Sequence, residues 1–255
     1  MTRRRLLYAG AGLASFLLFL LANIPAAALT GLLGSFLPDN IRFSGVDGTF
    51  WVGSVQSVNI NGWQFSEAQW DLNPAGLLLG RLSTRVKVRV AGGDITTDAT
   101  INLSGTITVR DLEANGPLQP IATEFNLPVS GGRYQVQISE LTIADGWPMS
   151  LVGSVRVAGV QLNIFGDSAG PKGNYAAEFD SESVRQDGQL TGMLSDDGGP
   201  VEVGGNIVLM PPNNYELQAK LKARPGAPVD IAQALSLAGP AGPDGSREIS
   251  LAGSL

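Results

Sequence analysis

Four groups of residues in this 255-residue chain have types and spacings that could do chemistry. In "GDSAG", residues 166–170, Ser168 takes the nucleophile position of a G-x-S-x-G elbow. That chemistry needs a histidine base and a strand-to-helix turn, yet the chain has no histidine and Pro171 follows at once. The string therefore reads as a hairpin turn. The adjoining "GPKG" lacks the GK[ST] core of a phosphate loop. Glu178, Asp180 and Glu182 alternate, which sets three carboxylates on one strand face, where a Ca²⁺ site or a glycosidase pair could use them. Nothing else in the sequence converges on them, so they read as a solvated face. Arg81, Arg85, Lys87 and Arg89 make a basic strand face, read as edge protection by charge, with a partner contact as the alternative.

Absent residue types exclude more. Without cysteine or histidine there are no disulfides, no thiolate or imidazole metal sites and no histidine acid–base catalysis. The expectation is a protein that is not an enzyme, with no catalytic, cofactor-binding or metal residues. Formal net charge is −6, but Arg3, Arg4 and Arg5 sit in an acid-free N-terminal segment, so the remainder carries 14 basic against 23 acidic residues. That balance argues against nucleic acid and against broad adhesion to anionic lipid, leaving proteins or apolar molecules as partners.

The elements that would position these groups begin with a membrane signal. Residues 6–29, "LLYAGAGLASFLLFLLANIPAAAL", contain no charge and at ~1.5 Å per residue can cross a ~30 Å hydrocarbon core. The preceding arginines predict a cytoplasmic N-terminus and an exported remainder. Because the apolar run is longer than an ordinary signal core, it reads as a single-pass anchor; the rival is a cleaved leader ending at the small-x-small pattern of Ala26 and Ala28. The chain then divides into 1–5 (cytoplasmic), 6–29 (transmembrane anchor) and 30–255 (periplasmic). Leu32, Leu33, Phe36 and Leu37 make an apolar stripe that extends the helix until Pro38.

Beyond Pro38 the period changes to two. Val86, Val88 and Val90 alternate with basic residues, and Tyr134, Val136 and Ile138 with polar ones, as do several later runs. Thirty-three glycines and 15 prolines punctuate them, so the spacing predicts ten to fourteen antiparallel strands joined by hairpins. Short helices are expected only at 73–82 and 230–239, the second opened by Asp230 and closed by Gly239. The fold class is mainly β: an antiparallel curved sheet or a sandwich-like periplasmic domain on one N-terminal transmembrane helix. Three stretches, beginning at Gly48, Gly146 and Gly199, echo one another as glycine-led strand units.

Three of the four tryptophans, Trp51, Trp63 and Trp70, fall within twenty residues. Trp51 lies in "GVDGTFWVG", residues 45–53, where a simple turn would have no use for the area of two aromatic rings. This block, with Gly45, Val46, Gly48, Thr49, Phe50, Trp51 and Gly53, is followed by "WDLNPAGLLLG", with Trp70, Leu72, Pro74, Leu77, Leu78 and Gly80. Two such blocks in order behind a basic N-terminus and an apolar run resemble the type II secretion system protein N family over nearly the whole chain. The resemblance implies a bitopic inner-membrane component of the general secretion pathway, contacting other inner-membrane and periplasmic subunits and supporting export of folded proteins across the outer membrane. An anchor followed by repeated strands also resembles the AsmA-like group, which implies a lipid partner in an apolar groove lined by positions such as Val86, Val88, Tyr134, Val136 and Ile138. The sequence further predicts that Phe50 and Trp51 pack the first hairpin onto the stripe of Leu32, Leu33 and Phe36.

Overall fold

The computed structural model describes residues 2–28, 41–60, 63–90, 92–124, 129–162, 172–180, 188–237 and 239–254. They divide into two compact units, Met1–Val90 and Ala91–Leu255. The stripe at Leu32, Leu33, Phe36 and Leu37, the GDSAG string with Ser168, and Glu182 all lie outside the described residues.

The first unit opens with helix α1, Thr2–Ala22. It is shorter than the expected apolar segment because Asn23 ends it: the Asn23 backbone N–H reaches the Phe19 and Leu20 carbonyls, its side-chain amide donates to Phe19 at 2.7 Å, and Pro25 follows. Arg3, Arg4 and Arg5 fall inside the helix, so its charge-free part, residues 6–22, is only about 25 Å long. Among the described residues no helix is long and apolar enough to cross a membrane.

Four strands follow, β1 (Ile41–Gly48), β2 (Val52–Ile60), β3 (Trp63–Asn73) and β4 (Arg81–Val90), each paired antiparallel with the next. As the alternation predicts, Val86 and Val88 are half-buried and Val90 buried between exposed Arg85, Lys87 and Arg89. One row breaks the regular pleat. Gly45 (φ +65°) on β1 and Glu67 (φ +51°) on β3 flank Gln56 on β2, and the β3–β4 register shifts between Ser66 and Gln69. Val55 and Val58, three apart on β2, are both buried on either side of this row. At Gly45 a Cβ would strike the Gln56 side chain.

The second unit is a longer meander: β5 (Gly93–Asn102), β6 (Ile107–Pro117), β8 (Arg133–Ala144), β9 (Trp147–Leu162), β10 (Lys172–Phe179), β11 (Leu190–Asp196), β12 (Val201–Met210), β13 (Asn214–Ala223) and β14 (Arg247–Ser254) pair in that order. Two-residue β7 (Val129–Ser130) pairs with β9. Within each unit the strands form an open antiparallel layer rather than a sandwich, because each chain reversal returns to the neighbouring strand and none switches to a second sheet. A second kink row runs through Thr97, Asp111 (φ +49°) and Ser139, with register shifts at Thr97 and Ser139. There the Thr97 hydroxyl donates to the Arg110 carbonyl at 3.2 Å and Ser139 to the Val152 carbonyl at 3.1 Å, giving partners to groups beside the bulges.

Both expected helices form in altered guise. Residues 74–79 make a 3₁₀ turn, Pro74–Leu79, with Asn73 accepting from the Ala75 N–H and Gly80 closing it at φ +67°. Helix α3, Val229–Leu237, follows α2 (Gln119–Glu124) and lays Ile231 and Leu235, one turn apart, against Val201, Val203 and Leu221. Beside this cluster Asp196, almost wholly buried, accepts from the Val203 N–H at 2.7 Å and pairs with the Arg224 guanidinium.

Tyr175 lies opposite Asp196 on the neighbouring strand, and burial, reinforced by the Asp196 charge, raises its phenol above the usual value. A phenol raised in the fold holds its proton more tightly there than in the unfolded chain, so its contribution is full below about pH 10 and is lost as pH rises through the folded value. Urea unfolding midpoints of the wild type should therefore fall more steeply above pH 10 than those of Tyr175→Phe; parallel profiles would show that Tyr175 carries no such linkage.

Candidate functional site

Four backbone carbonyls at the C-terminal end of any α-helix lack a partner within the helix. In the first unit the "GVDGTFWVG" block supplies one. The Trp51 indole Nε1–H donates to the Leu21 carbonyl at 2.8 Å, and the Phe50 N–H donates to the Ile24 carbonyl at 2.8 Å. Thr49 forms an isolated antiparallel bridge with Pro25. Trp51 is 9% exposed and meets Phe50 edge to face, with centroids 4.9 Å apart. The two aromatics thus fasten the first hairpin to the end of α1 as a tether, at Leu21 to Pro25; the expected packing onto Leu32, Leu33 and Phe36 falls on residues outside those described.

The second block braces the first. Trp70 Nε1–H donates to the Phe50 carbonyl at 2.9 Å, and the Leu72 N–H donates to the Trp51 carbonyl at 2.6 Å. Gly53 faces the Trp70 ring so closely that a Cβ would collide with its six-membered edge. Gly48 (φ +87°) lets the chain turn where a Cβ would meet the Val52 carbonyl at 2.5 Å. The Thr49 hydroxyl accepts from the Val52 N–H at 3.1 Å. Pro74 opens the 3₁₀ turn and Gly80 closes it. Gly45, Gly48, Thr49, Phe50, Trp51, Gly53, Trp70, Pro74 and Gly80 therefore share one unit, eight of them gathered around the hairpin ends and Gly45 on the kink row. Leu21, Asn23 and Ile24 were missed. Their signal was Asn23 and Pro25 interrupting the apolar run, since both residues end helices.

Next to the tether lies an open groove of about 590 Å³, floored by Gly48, Gly53 and Trp70 and walled by Asp47, Asp71, Arg85 and Lys87. Asp71 stands opposite Arg85 in the register, and Arg89 pairs with Glu67, so the basic face of β4 is largely answered within its own unit. Glu178 pairs with Arg156 at 3.2 Å, while Asp180 is exposed on the chain just past β10. Trp63 begins β3 opposite Ile60, and Trp147 is buried with its indole donating to the Gly188 carbonyl at 3.0 Å.

In the second unit the register segregates the two faces. One row carries Ile95, Ala114, Val136, Val155, Ala177 and Leu194, then Gly205, Ala219 and Ile249. The adjacent row, on the opposite face, begins Asp94, Asn115, Gln135 and Arg156. Tyr134, Val136 and Ile138 lie on the apolar side, half-buried, and α3 covers that side only at β12 and β13.

Residues 39–250 match the model of the family described as type II secretion system (T2SS), protein N. The chain belongs to the type II secretion system protein N family. It is 26% identical to the type II secretion system protein N of Aeromonas hydrophila over 95% of both chains. It is 24% identical to the protein of the same name from Vibrio cholerae serotype O1, over 78% of this chain and 79% of that one. No solved structure matches. Membership of the protein N family makes the chain a component of the secretion machinery.

Trp51→Ala should remove both the buried ring and the Leu21 partner and destabilise the first unit by about 3–5 kcal/mol. Trp51→Phe, which keeps most of the area and loses the indole donor, should cost about 1 kcal/mol. Urea denaturation followed by tryptophan fluorescence and circular dichroism distinguishes them; equal losses would mean the retained ring area contributes nothing, and no loss in Trp51→Phe would mean the hydrogen bond contributes nothing.

Proposed function

We propose that this protein is a non-enzymatic accessory component of the type II secretion system, held at the inner membrane by α1. Its strand units stand on the periplasmic side and act through contacts with other secretion subunits in support of export across the outer membrane. The observation that carries this reading is the tether, which joins the end of α1 to the first hairpin through an indole donor and a backbone donor. Such a joint suits a protein whose sheet must be held in a fixed relation to a membrane.

Three features support α1 as the anchor. Its described large apolar side chains, among them Leu13, Phe16, Leu17, Phe19 and Leu20, are about half exposed or more. Arg3, Arg4 and Arg5 stand at the end that a cytoplasmic N-terminus requires. A span of about 25 Å is met by local thinning of the bilayer at modest cost. On this reading residues 1–5 are cytoplasmic and 30–255 periplasmic.

A second reading, lipid handling in the AsmA-like manner, is favoured by one observation: the half-buried apolar row from Ile95 to Leu194. In living cells, a photo-crosslinking residue placed separately at Val52, beside the tether, and at Ile138, on the apolar face, tests both. A secretion subunit captured at Val52 is the expected result. Phospholipid captured at Ile138 with no protein at Val52 would make lipid contact the function, and no specific adduct at either position would remove both readings.

A further inference from the structure

Leu77, Leu78 and Leu79 form an exposed apolar tip with no role in the tether. They are 50%, 90% and 71% exposed, although the turn that carries them is tightly built. Asn73 caps its start, the Gly80 N–H returns to the Leu77 carbonyl at 3.1 Å, and Gly76 is buried so closely against the Arg81 carbonyl that a Cβ would lie 2.7 Å from it. A turn fixed by its backbone thus holds three consecutive leucines outward. In water such a cluster is unfavourable, which marks it as a contact surface.

Hydrogen bonds place this tip at the membrane end of the first unit. Leu21, at the end of α1, accepts from Trp51, whose carbonyl in turn accepts from Leu72. Pro74, the first residue of the turn, is two residues further on. The leucines therefore project from the end of the sheet that meets the end of α1, and Arg81 follows them after Gly80. Apolar residues flanked by an arginine match the boundary between acyl chains and anionic headgroups.

We propose that the Leu77–Leu79 turn inserts into the outer leaflet of the bilayer that α1 enters, as a second membrane contact for the first unit. The occupant of this surface is lipid, because the hydrogen-bonded path from Leu21 through Trp51 to Leu72 sets the turn beside the end of α1, whose large apolar side chains are exposed as well. The inference rests on the reading of α1 as a membrane anchor. With two contacts, the helix end and the turn, the first unit is held against the membrane in tilt as well as in position.

The chain has no cysteine, so single thiols report unambiguously. Full-length Leu78→Cys, Phe16→Cys and Phe43→Cys variants are each labelled with an environment-sensitive fluorophore. They are then reconstituted into phosphatidylethanolamine–phosphatidylglycerol vesicles carrying doxyl-labelled phosphatidylcholine. Phe43 lies five rows along β1 from the tether, about 17 Å away. The Leu78 probe should lose most of its emission to shallow doxyl groups and resist aqueous iodide. The Phe16 probe should respond to deep doxyl groups, and the Phe43 probe to iodide alone. A Leu78 probe quenched by iodide while the Phe16 probe lies in lipid overturns the turn and leaves the anchor standing. A Leu78 probe shielded from both quenchers assigns the turn to protein contact and also overturns the proposal. If the Phe16 probe lies in water while the Leu78 probe lies in lipid, the turn stands and the anchor reading falls; both probes in water remove both.

Discussion

The first unit depends on how one helix ends. A helix terminus leaves its last carbonyls without partners inside the helix, and here the donor to Leu21 comes from the side chain of a residue in the first β-hairpin, thirty positions on. Because an indole presents a single N–H on a rigid ring, the bond sets direction as well as contact. Trp70, Gly48 and Gly53 follow from that constraint: the first braces the Phe50 carbonyl, and the glycines clear the space the two rings and the tight turn require.

The strands show a different economy. Along the second unit, cross-strand neighbours sort by polarity with little mixing, and the exposed pairs Arg110 with Glu140 and Lys220 with Glu248 stand on directly opposed positions. Exposed pairs of this kind contribute at most about 1 kcal/mol each, so they favour register more than stability. What core exists is local: α3 over Val201, the fully buried Leu190 opposite Leu209, and Trp147 near Gly188.

Much of this was legible in the sequence, and the failures have physical causes. Alternation at Val86 to Val90 and at Tyr134 to Ile138 gave strands and their half-buried faces, because period two survives wherever a sheet has one wet side. Residues 73–82 promised a helix, but Pro74 and the αL residue Gly80 leave room for only a 3₁₀ turn. Positive φ at Glu67 and Asp111 could not be foreseen, since neither residue type demands it; the kinks arise from register between strands. The aromatic block drew attention by its composition, whereas the Leu21 carbonyl it meets did not: a backbone carbonyl has no side-chain signature, and Leu21 looked like any other member of an apolar run.

In each unit the long strands pair in the order of the chain, several through short reversals, while α2 and α3 are set into the connections before β8 and β14. Contacts are therefore near in sequence despite the all-antiparallel architecture, and little loop entropy separates one pairing from the next. A chain of this kind can acquire structure progressively from its N-terminal side, with every new strand finding its template already in place. It can also change length by whole hairpins during evolution without disturbing the strands that precede them.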